Sequence, residues 1–433
     1  MTTANRPLIE PVSTRLQPVE LFEFFRDERF CFLLDSGMDP GKLGRYSFMG
    51  NNPFLLMRTR GNRTTLTQET GKTVTYGNPF DLLGQYLDKY HLAPADDAPV
   101  PFVSGAVGYL SYDLCHRIER LPKTAGDDLK LPEMYFGFYD LILAYDHLLG
   151  KAYIISSGFP ESDEVKRRRR AQARLDALKI KLTGTPPVNN DGVRIPEAGN
   201  TPLEGNFTHE NYVAAVQRAR QYIIDGDIFE VNLSQRFETE LHIAPYHLYT
   251  RLRGINPAPF AAYLSFDDLK IISASPERFL KVSGDKIETR PIKGTIKRGR
   301  TPAEDKIQAQ ALLDSAKDRA ENMMIVDLER NDLGRVCRYG TVKVTELEIL
   351  ETYPTVFHLT STVTGRLRPE KNNIHLLKAT FPGGSITGAP KIRSMEIIDE
   401  LEPTRRSVYT GSLGYFSFDG NMDTAITIRT IVV

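Results

Sequence analysis

Paired apolar runs in the second half of the chain are the feature that most constrains its fold. Residues 260–266 and 269–273 form one pair, and residues 280–282 and 286–291 form another, each joined by a short polar loop. Such runs and loops are typical of β-hairpins, and hairpins build antiparallel sheets. Further strand-like runs in the first half lie at 30–34, 54–59, 64–68, 105–112, 136–145 and 152–156.

Helix-like segments alternate irregularly with these strands. They lie at 19–25, 162–182, 208–225, 314–332 and 392–401. The second of them carries the basic run KRRRR, which we interpret as a solvated helix face rather than a nucleic-acid patch. The irregular order of strands and helices predicts an α+β fold, in which large antiparallel β-sheets pack together and are flanked by helices.

A polar stretch divides the chain into two regions. Residues 183–206 are rich in Pro, Gly and Asn and have neither helical nor strand periodicity, which predicts a linker. It would separate an N-terminal α+β region, 1–182, from residues 207–433, which hold the segments with candidate chemistry. A chain of 433 residues is long enough for two or three domain-sized units or one large composite domain.

Charge and cysteine content exclude several classes of protein. The chain has 55 basic and 55 acidic residues, so no net charge draws it to nucleic acid or to an anionic membrane. No apolar run reaches the roughly 18 residues of a transmembrane helix, and the N-terminus has no apolar secretory segment. Cys31, Cys115 and Cys337 are too widely separated to indicate a disulfide framework or a zinc site. We therefore expect a cytoplasmic protein with neither a nucleic-acid nor a membrane partner.

A lysine in a short apolar strand is the first candidate for chemistry. Lys293 lies between Ile292 and Gly294, so the next residue has no side chain to block approach. Burial disfavours an ammonium group, and a lysine that has lost its proton can act as a nucleophile. Taken alone, a strand lysine is more often structural, and both interpretations stay open at this point.

Two further segments could bind charged ligands. On the 314–332 helix, Glu321 either belongs to a surface of salt bridges or points inward and supplies an oxygen ligand to Mg²⁺. In FPGGSITGAPK, residues 381–391, two glycines precede Ser385 and Thr387 at the start of a helix. Exposed N–H groups there suit a carboxylate or phosphate, although the spacing does not fit a P-loop and a capped helix without a ligand is the alternative.

Together these segments resemble the motifs of the chorismate-utilising enzymes. SPERF, PIKGT, DRAEN, DLERNDLGR, PGGSITGAPK and MDTAITIRT stand in the order typical of that family. The resemblance extends over nearly the whole chain and is strongest from 206 to 430. It implies the fold of anthranilate synthase component I, with large antiparallel sheets, flanking helices and closely packed N- and C-terminal halves.

Within the family, the resemblance implies amination of chorismate. Aminodeoxychorismate synthase component I carries lysine at the position of Lys293, whereas anthranilate synthase large subunits usually carry alanine. By resemblance, Lys293 attacks C2 of chorismate and ammonia then adds at C4, giving 4-amino-4-deoxychorismate for para-aminobenzoate and folate synthesis. The alternatives are anthranilate synthase component I, favoured by the segment GRYSFMG, and an inactive scaffold that only binds a partner.

The resemblance also implies roles for individual residues. Glu277 would be a general acid and base beside Lys293, and Glu321 would hold Mg²⁺ as a cofactor. His358 taken alone would be a satisfied core histidine. The expected substrate contacts, of which the last two would clamp a chorismate carboxylate, are Gly294, Thr295, His358, Thr387, Tyr415 and Arg429.

Two further expectations concern other small molecules. Leu34, Asp35 and Ser36 resemble the lining of the family's tryptophan pocket, which is a feedback site in anthranilate synthases. Ammonia would be delivered by a separate glutamine amidotransferase subunit, because none of the three cysteines stands in the strained Gly-rich turn that a glutaminase needs.

The sequence departs from the family's pattern at its C-terminus. The family continues past the ITIRT strand through another strand, a glycine turn that contacts substrate and a helix with a further acidic Mg²⁺ ligand. This sequence stops at Val433. We therefore expect an incomplete metal site, either because the sequence is C-terminally truncated or because the protein has lost catalysis.

Overall fold

Two antiparallel β-sheets organise the chain in the computed structural model, which describes residues 5–94, 97–187 and 202–433. The first half contains, in order, β1 (Leu8–Val12), α1 (Pro18–Phe22), β2 (Cys31–Asp35), β3 (Tyr46–Gly50), β4 (Leu55–Arg60), β5 (Arg63–Gln68), β6 (Gly71–Tyr76), α2 (Pro79–Lys89), β7 (Gly105–Leu110), β8 (Met134–Tyr139), β9 (Leu141–Asp146), β10 (Lys151–Ser156) and α3 (Glu164–Leu182).

The second half is richer in short strands. It contains, in order, β11 (Glu204–Gly205), α4 (His209–Ile224), β12 (Glu230–Val231), β13 (Phe237–Glu238), α5 (Pro245–Ile255), β14 (Phe260–Phe266), β15 (Leu269–Ser275), β16 (Arg278–Ser283), β17 (Lys286–Thr289), β18 (Ile292–Lys297), α6 (Pro302–Leu313), α7 (Ala316–Gly334), β19 (Lys343–Thr352), β20 (Val356–Arg366), α8 (Asn373–Thr380), β21 (Gly388–Ala389), α9 (Lys391–Leu401), β22 (Ser412–Ser417), β23 (Met422–Ile426) and β24 (Thr430–Val432).

Both large sheets draw strands from both halves of the chain. One sheet has the order β1-β10-β9-β3-β2-β14-β15-β24, and the longer one runs β18-β20-β17-β16-β23-β22-β7-β8-β4-β5-β6, with β19 also paired to β20. Because β2 pairs with β14 and β7 pairs with β22, the regions before and after the predicted linker share each sheet. Residues 188–201 of that linker lie outside the described residues, and the boundaries at 182 and 207 stay a prediction.

The packing of the sheets follows from alternation along their strands. Phe32 of β2 faces the core that both sheets share, where its ring centroid lies 4.6 Å from that of Tyr139 on β8. Its neighbour Leu33 belongs to a second core, with Phe22 of α1 and Leu175 of α3. Helices α6 and α7 pack against β18 and β20 of the longer sheet. The expected fold class, α+β with large antiparallel sheets flanked by helices, is confirmed.

One predicted strand is in fact two. Residues 136–145 form β8 and β9, which belong to different sheets. Asp140 at the break is fully buried, and its carboxylate lies 3.3 Å from Arg170 and 3.0 Å from Arg174 of α3. The crossing from one sheet to the other is therefore marked by a buried carboxylate paired with two partly exposed arginines, which apolar periodicity alone does not reveal.

Most other predicted elements are found. The predicted hairpins are β14–β15 and β16–β17, and the predicted helices correspond to α1, α3, α4, α7 and α9. The strand predicted at 105–112 ends earlier, at Leu110, because Ser111 caps a short 3₁₀ helix, Tyr112–Arg117. Within the described ranges, no helix has the length and apolar character needed to cross a membrane.

Candidate active site

Lys293 lies at an irregularity in the longer sheet. β18 pairs with β20, but the register changes between Ile292 and Thr295, so Lys293 and Gly294 stand outside the regular ladder. Gly294 has φ +91°, and a Cβ there would lie only 3.1 Å from Cβ of Asp318 on α7. The positive φ therefore favours glycine beside the lysine, and the nearby Asp318 side chain leaves little room for a larger residue.

The Lys293 side chain ends in a polar cluster and is 11% exposed. Its Nζ donates to the carboxylate of Glu230 and lies 3.4 Å from Oδ1 of Asn232. Glu230 belongs to β12, which pairs with β21 of the glycine-rich loop, and Asn232 follows it. Sequence analysis missed both residues, because a two-residue strand has too little periodicity to distinguish an inward polar side chain from an exposed one.

Glu277 stands directly before β16 and is buried. Ser385 Oγ donates to its carboxyl oxygen Oε1, and the N–H of Ile292 lies 3.5 Å from the same oxygen. Burial raises the pKa of Glu277 from 4.5 to about 7, against the opposing effects of these hydrogen bonds and of Lys293. Near neutral pH the group can therefore both donate and accept a proton, as general acid–base chemistry requires.

Thr295, His358 and Arg429 form a hydrogen-bonded row beside the strand irregularity. Thr295 Oγ1 lies 2.8 Å from Nδ1 of His358, and Nη2 of Arg429 lies 3.1 Å from Nε2 of the same ring. Burial, reinforced by the guanidinium, lowers the pKa of His358 to about 4. The imidazole is therefore neutral near pH 7, so Nε2 accepts from Arg429 and the Nδ1–H group donates to Thr295.

Arg429 interrupts the apolar run near the end of the sequence. It has φ +50° and lies between β23 and β24, and one side of it is open to solvent. In the described part of the chain, no carboxylate oxygen lies within 4.0 Å of its guanidinium nitrogens. The guanidinium therefore keeps N–H donors for an incoming carboxylate. Tyr353, which sequence analysis missed, packs edge-on against His358 with ring centroids 5.0 Å apart.

The glycine-rich loop links α7 to the polar cluster. The N–H of Gly384 donates to Oε1 of Glu329 on α7 at 3.1 Å, and Ser385 reaches Glu277. Thr387 is fully buried, and its hydroxyl donates to the carbonyl oxygen of Gly383 at 3.0 Å. The hydroxyl of Ser385, rather than that of Thr387, is thus the one that contacts an acid–base group.

Tyr415 lies apart from these residues. Its ring stacks on Phe102 at 4.4 Å between centroids and meets Phe48 edge-on at 5.5 Å, at a cavity of about 560 Å³. Arg278 lines the same cavity, whereas the next residue, Phe279, faces the glycine-rich loop, so the alternation of β16 separates the two sites. The structure does not bring Tyr415 to Arg429, as the predicted carboxylate clamp would need.

The same cavity contains the three residues that sequence analysis grouped as a tryptophan pocket. Leu34, Asp35 and Ser36 all line it. Asp35 is buried and accepts from the hydroxyls of Ser47 and Tyr249, each at 2.9 Å, and from Arg253. Its charge is therefore already satisfied by protein groups, and the binding of tryptophan stays a prediction.

Glu321 on α7 is only half-buried, and one of its carboxylate oxygens lies 3.4 Å from Nζ of Lys317. Among the residues that the structure describes, no group of three or more His, Cys, Asp and Glu side chains is arranged to hold a metal ion. A Mg²⁺ ion held by one carboxylate would complete its shell with water and an anionic ligand. Magnesium binding at Glu321 stays a prediction.

Comparison with known proteins decides the family. A model of the family described as chorismate binding enzyme matches residues 39–433. The chain belongs to this family. It is 41% identical over 402 residues to aminodeoxychorismate synthase component 1 of Escherichia coli (strain K12), covering 93% of this chain and 84% of that protein. It is 40% identical over 420 residues to anthranilate synthase component 1 of Acetivibrio thermocellus, covering 96% of this chain and 85% of that protein.

Solved structures support the fold of this chorismate-binding chain. Anthranilate synthase component I from Streptococcus pneumoniae TIGR4 matches with a TM-score of 0.78 and 33% identity, covering 90% of this chain and 84% of that one. The predicted resemblance to chorismate-utilising enzymes is thus confirmed. Because the two kinds of relative are about equally similar in sequence, identity alone does not say which reaction this member performs.

Proposed function

We propose that this chain is an aminodeoxychorismate synthase component 1, which converts chorismate and ammonia to 4-amino-4-deoxychorismate. The observation that carries the proposal is the position of Lys293, whose Nζ ends beside Glu230 and Asn232, with Glu277 hydrogen-bonded to the same strand. A lysine there supplies an amine nucleophile, which the alanine usual in anthranilate synthases cannot.

The first half of the proposed reaction forms a covalent bond to the enzyme. The free amine of Lys293 attacks C2 of chorismate, the two ring double bonds migrate, and the C4 hydroxyl leaves. Glu277 in its protonated form gives that hydroxyl its proton, so that water departs. The pKa of about 7 that burial imposes on Glu277 makes this form available near neutral pH.

The second half reverses the displacement with ammonia. Ammonia adds at C4, the double bonds migrate back, and the C2–nitrogen bond breaks to release Lys293. Glu277, now a carboxylate, takes the proton that the new C4 amine must lose. The two halves together exchange the hydroxyl for an amino group and return every enzyme group to its starting state.

Arg429 and His358 would hold a chorismate carboxylate. The guanidinium of Arg429 can bind a carboxylate through two parallel hydrogen bonds. Because neutral His358 accepts from one of its nitrogens and is fixed in turn by Thr295, the guanidinium has a defined orientation before substrate arrives. Glu321 would hold Mg²⁺ through one oxygen, and the ion would supply additional positive charge for the substrate's carboxylate.

The chain would receive ammonia from a glutamine amidotransferase partner. Both curated relatives described above carry the words component 1 in their names, which supports a second subunit. In the part of the chain that the structure describes, all three cysteines are buried, and burial raises the pKa of Cys31 to about 12 and that of Cys337 to about 11. Such thiols are poor nucleophiles, so glutamine hydrolysis would take place elsewhere.

The test is product analysis by liquid chromatography and mass spectrometry. The purified chain is given chorismate, Mg²⁺ and an ammonium salt at alkaline pH, and we expect aminodeoxychorismate rather than anthranilate. Lys293→Ala should abolish that product, whereas the matched control Lys297→Ala, at an exposed lysine of the same strand, should retain it. Anthranilate as the product would favour the second candidate, anthranilate synthase component 1, which the similarity to the Acetivibrio thermocellus protein supports. Full activity of Lys293→Ala would also reject the proposal.

A further inference from the structure

Glu230 is a carboxylate that the reaction above does not use, although it touches the reacting nitrogen. One oxygen of Glu230, Oε1, accepts a hydrogen bond from Nζ of Lys293. The side chain of Glu230 is 16% exposed and that of Lys293 is 11% exposed. The other oxygen, Oε2, is buried and accepts no hydrogen bond from any group in the described ranges. An unsatisfied buried carboxylate oxygen is unfavourable, and such an atom at a functional site calls for a role in the reaction.

The carboxylate is also held in place by a third group. The amide nitrogen of Asn232 lies 3.2 Å both from Oε1 of Glu230 and from the carbonyl oxygen of Ser385. The main-chain carbonyl oxygen of Asn232 in turn accepts a hydrogen bond from buried Arg406. A nucleophile in hydrogen-bond contact with a base that a third group orients is the usual arrangement for activating a nucleophile.

We infer that Glu230 is the catalytic base that removes the proton from Lys293 and so produces the amine required by the proposed function. The ammonium of Lys293 passes one proton to Glu230, giving a neutral amine and a neutral carboxyl group, and the amine then bonds to C2 of chorismate. When ammonia displaces the enzyme from C2, the lysine leaves as an amine and recovers its proton from Glu230. No oxidant, metal or further reactant takes part.

The charged groups around the site support different roles for Glu230 and Glu277. Lys293 is the cation in direct contact with Glu230. Helix α9 packs against β12, but its two nearby cations already have carboxylate partners. Lys391 is paired with Asp332, and Arg393 is paired with Asp227 and Glu396. Arg406 is paired with Glu402, and Arg429 is hydrogen-bonded to His358. Glu230, in direct contact with Nζ of Lys293, is placed to take the lysine's proton, whereas Glu277, whose pKa burial raises, is suited to be the protonated acid.

The test measures formation of the lysine adduct and turnover with ammonia in the full chain. Glu230→Gln keeps the shape and one acceptor oxygen but cannot take a proton. At about pH 7 we expect its kcat to fall by roughly 10²- to 10³-fold with little change in KM for chorismate. The difference in kcat between Glu230→Gln and the parent should become smaller as the pH rises to about 9.5, because hydroxide can then remove the lysine's proton. The control is Glu240→Gln, at an exposed carboxylate whose ion-pair partner is His242, and it should behave as the parent.

A second pair of variants keeps the test decisive if Glu230→Gln folds poorly. Glu230→Asp and Glu230→Asn have equal length, and only the first can accept a proton, so we expect it to be at least about tenfold faster at neutral pH. Equal rates for this pair, or a Glu230→Gln chain as fast as the parent at every pH, would overturn the base role while leaving the proposed function intact. A parental chain that makes no aminodeoxychorismate would reject the proposed function and this inference together.

Discussion

Replacing Glu277 by glutamine should stabilise the folded protein at alkaline pH while abolishing turnover. The pKa of this buried carboxyl rises from 4.5 in the unfolded chain to about 7 in the folded one. A raised folded-state pKa means that the folded protein binds the proton more tightly. Its contribution to stability is therefore complete below pH 4.5 and is lost as the pH rises through 7.

The size of that loss follows from the two pKa values. One pKa unit corresponds to about 1.4 kcal/mol, so ionising Glu277 inside the fold lowers the free energy of unfolding by about 3 kcal/mol above pH 7. Glutamine has nearly the same shape and no charge at any pH, and it can still accept a hydrogen bond from Ser385. The free energy of unfolding of the variant, relative to that of the parent at the same pH, should therefore rise by about 2–3 kcal/mol when the pH is raised from about 5 to about 8.5.

Urea denaturation of the two proteins at both pH values is the assay. Comparing each variant with the parent at the same pH cancels the titration of every other group, including buried Glu329, whose pKa burial also raises. Glu240→Gln, at an exposed position, serves as the control and should give no such difference. If the stability difference between Glu277→Gln and the parent is the same at both pH values, burial does not raise the pKa of Glu277.

Other contacts in the structure can be tested by single substitutions and by assay of the purified chain. Arg406→Met leaves the Glu402 carboxylate buried without its partner and should lower the free energy of unfolding by about 3–5 kcal/mol in urea denaturation. Gly384→Ala places a Cβ 2.8 Å from Cδ2 of Leu328 and should destabilise by about 1–3 kcal/mol while lowering kcat/KM; an unchanged enzyme would contradict the packing of the loop. Glu321→Gln should weaken Mg²⁺ binding in calorimetry, and excess Mg²⁺ should partly restore its activity; an unchanged affinity would place the metal elsewhere. Ammonium salts at alkaline pH should support turnover by this chain alone, whereas glutamine should do so only with an amidotransferase partner; glutamine-dependent turnover by the purified chain would contradict this.

Much of the fold could be predicted because each hairpin is formed by neighbouring residues and is visible as a short pattern in the sequence. The pairs at 260–273 and 280–291 alternate in side-chain direction and end in short polar loops, so the sequence alone predicts them as antiparallel strands. The crossing at Asp140 could not be predicted, because its ion pair with α3 joins residues far apart in the chain. The pairing of β2 with β14 could not be predicted either, because these strands lie far apart in the sequence, on opposite sides of the predicted linker.

Some residues of the site could likewise be predicted from the sequence, and others could not. Lys293 and Glu277 could be identified, since each stands in a motif with a recognisable local form. Glu230 could not, because its importance comes only from a contact with a residue more than sixty positions away. The carboxylate clamp of Tyr415 and Arg429 was implied only by the family resemblance. Tyr415 instead lines the cavity beside Phe48 and Phe102, because side chains alternate between the two faces of a sheet.

The proposed reaction depends on a covalent bond between chorismate and Lys293, and this bond can be trapped. The purified chain should be incubated with chorismate and Mg²⁺ in the absence of ammonia, quenched, and examined by intact-protein and peptide mass spectrometry. We expect one adduct, equal in mass to chorismate less one water, on the peptide that contains Lys293, and we expect it to disappear when ammonia is added. A chain that turns over chorismate to aminodeoxychorismate with no such adduct, or with the adduct on another residue, would contradict the proposed reaction.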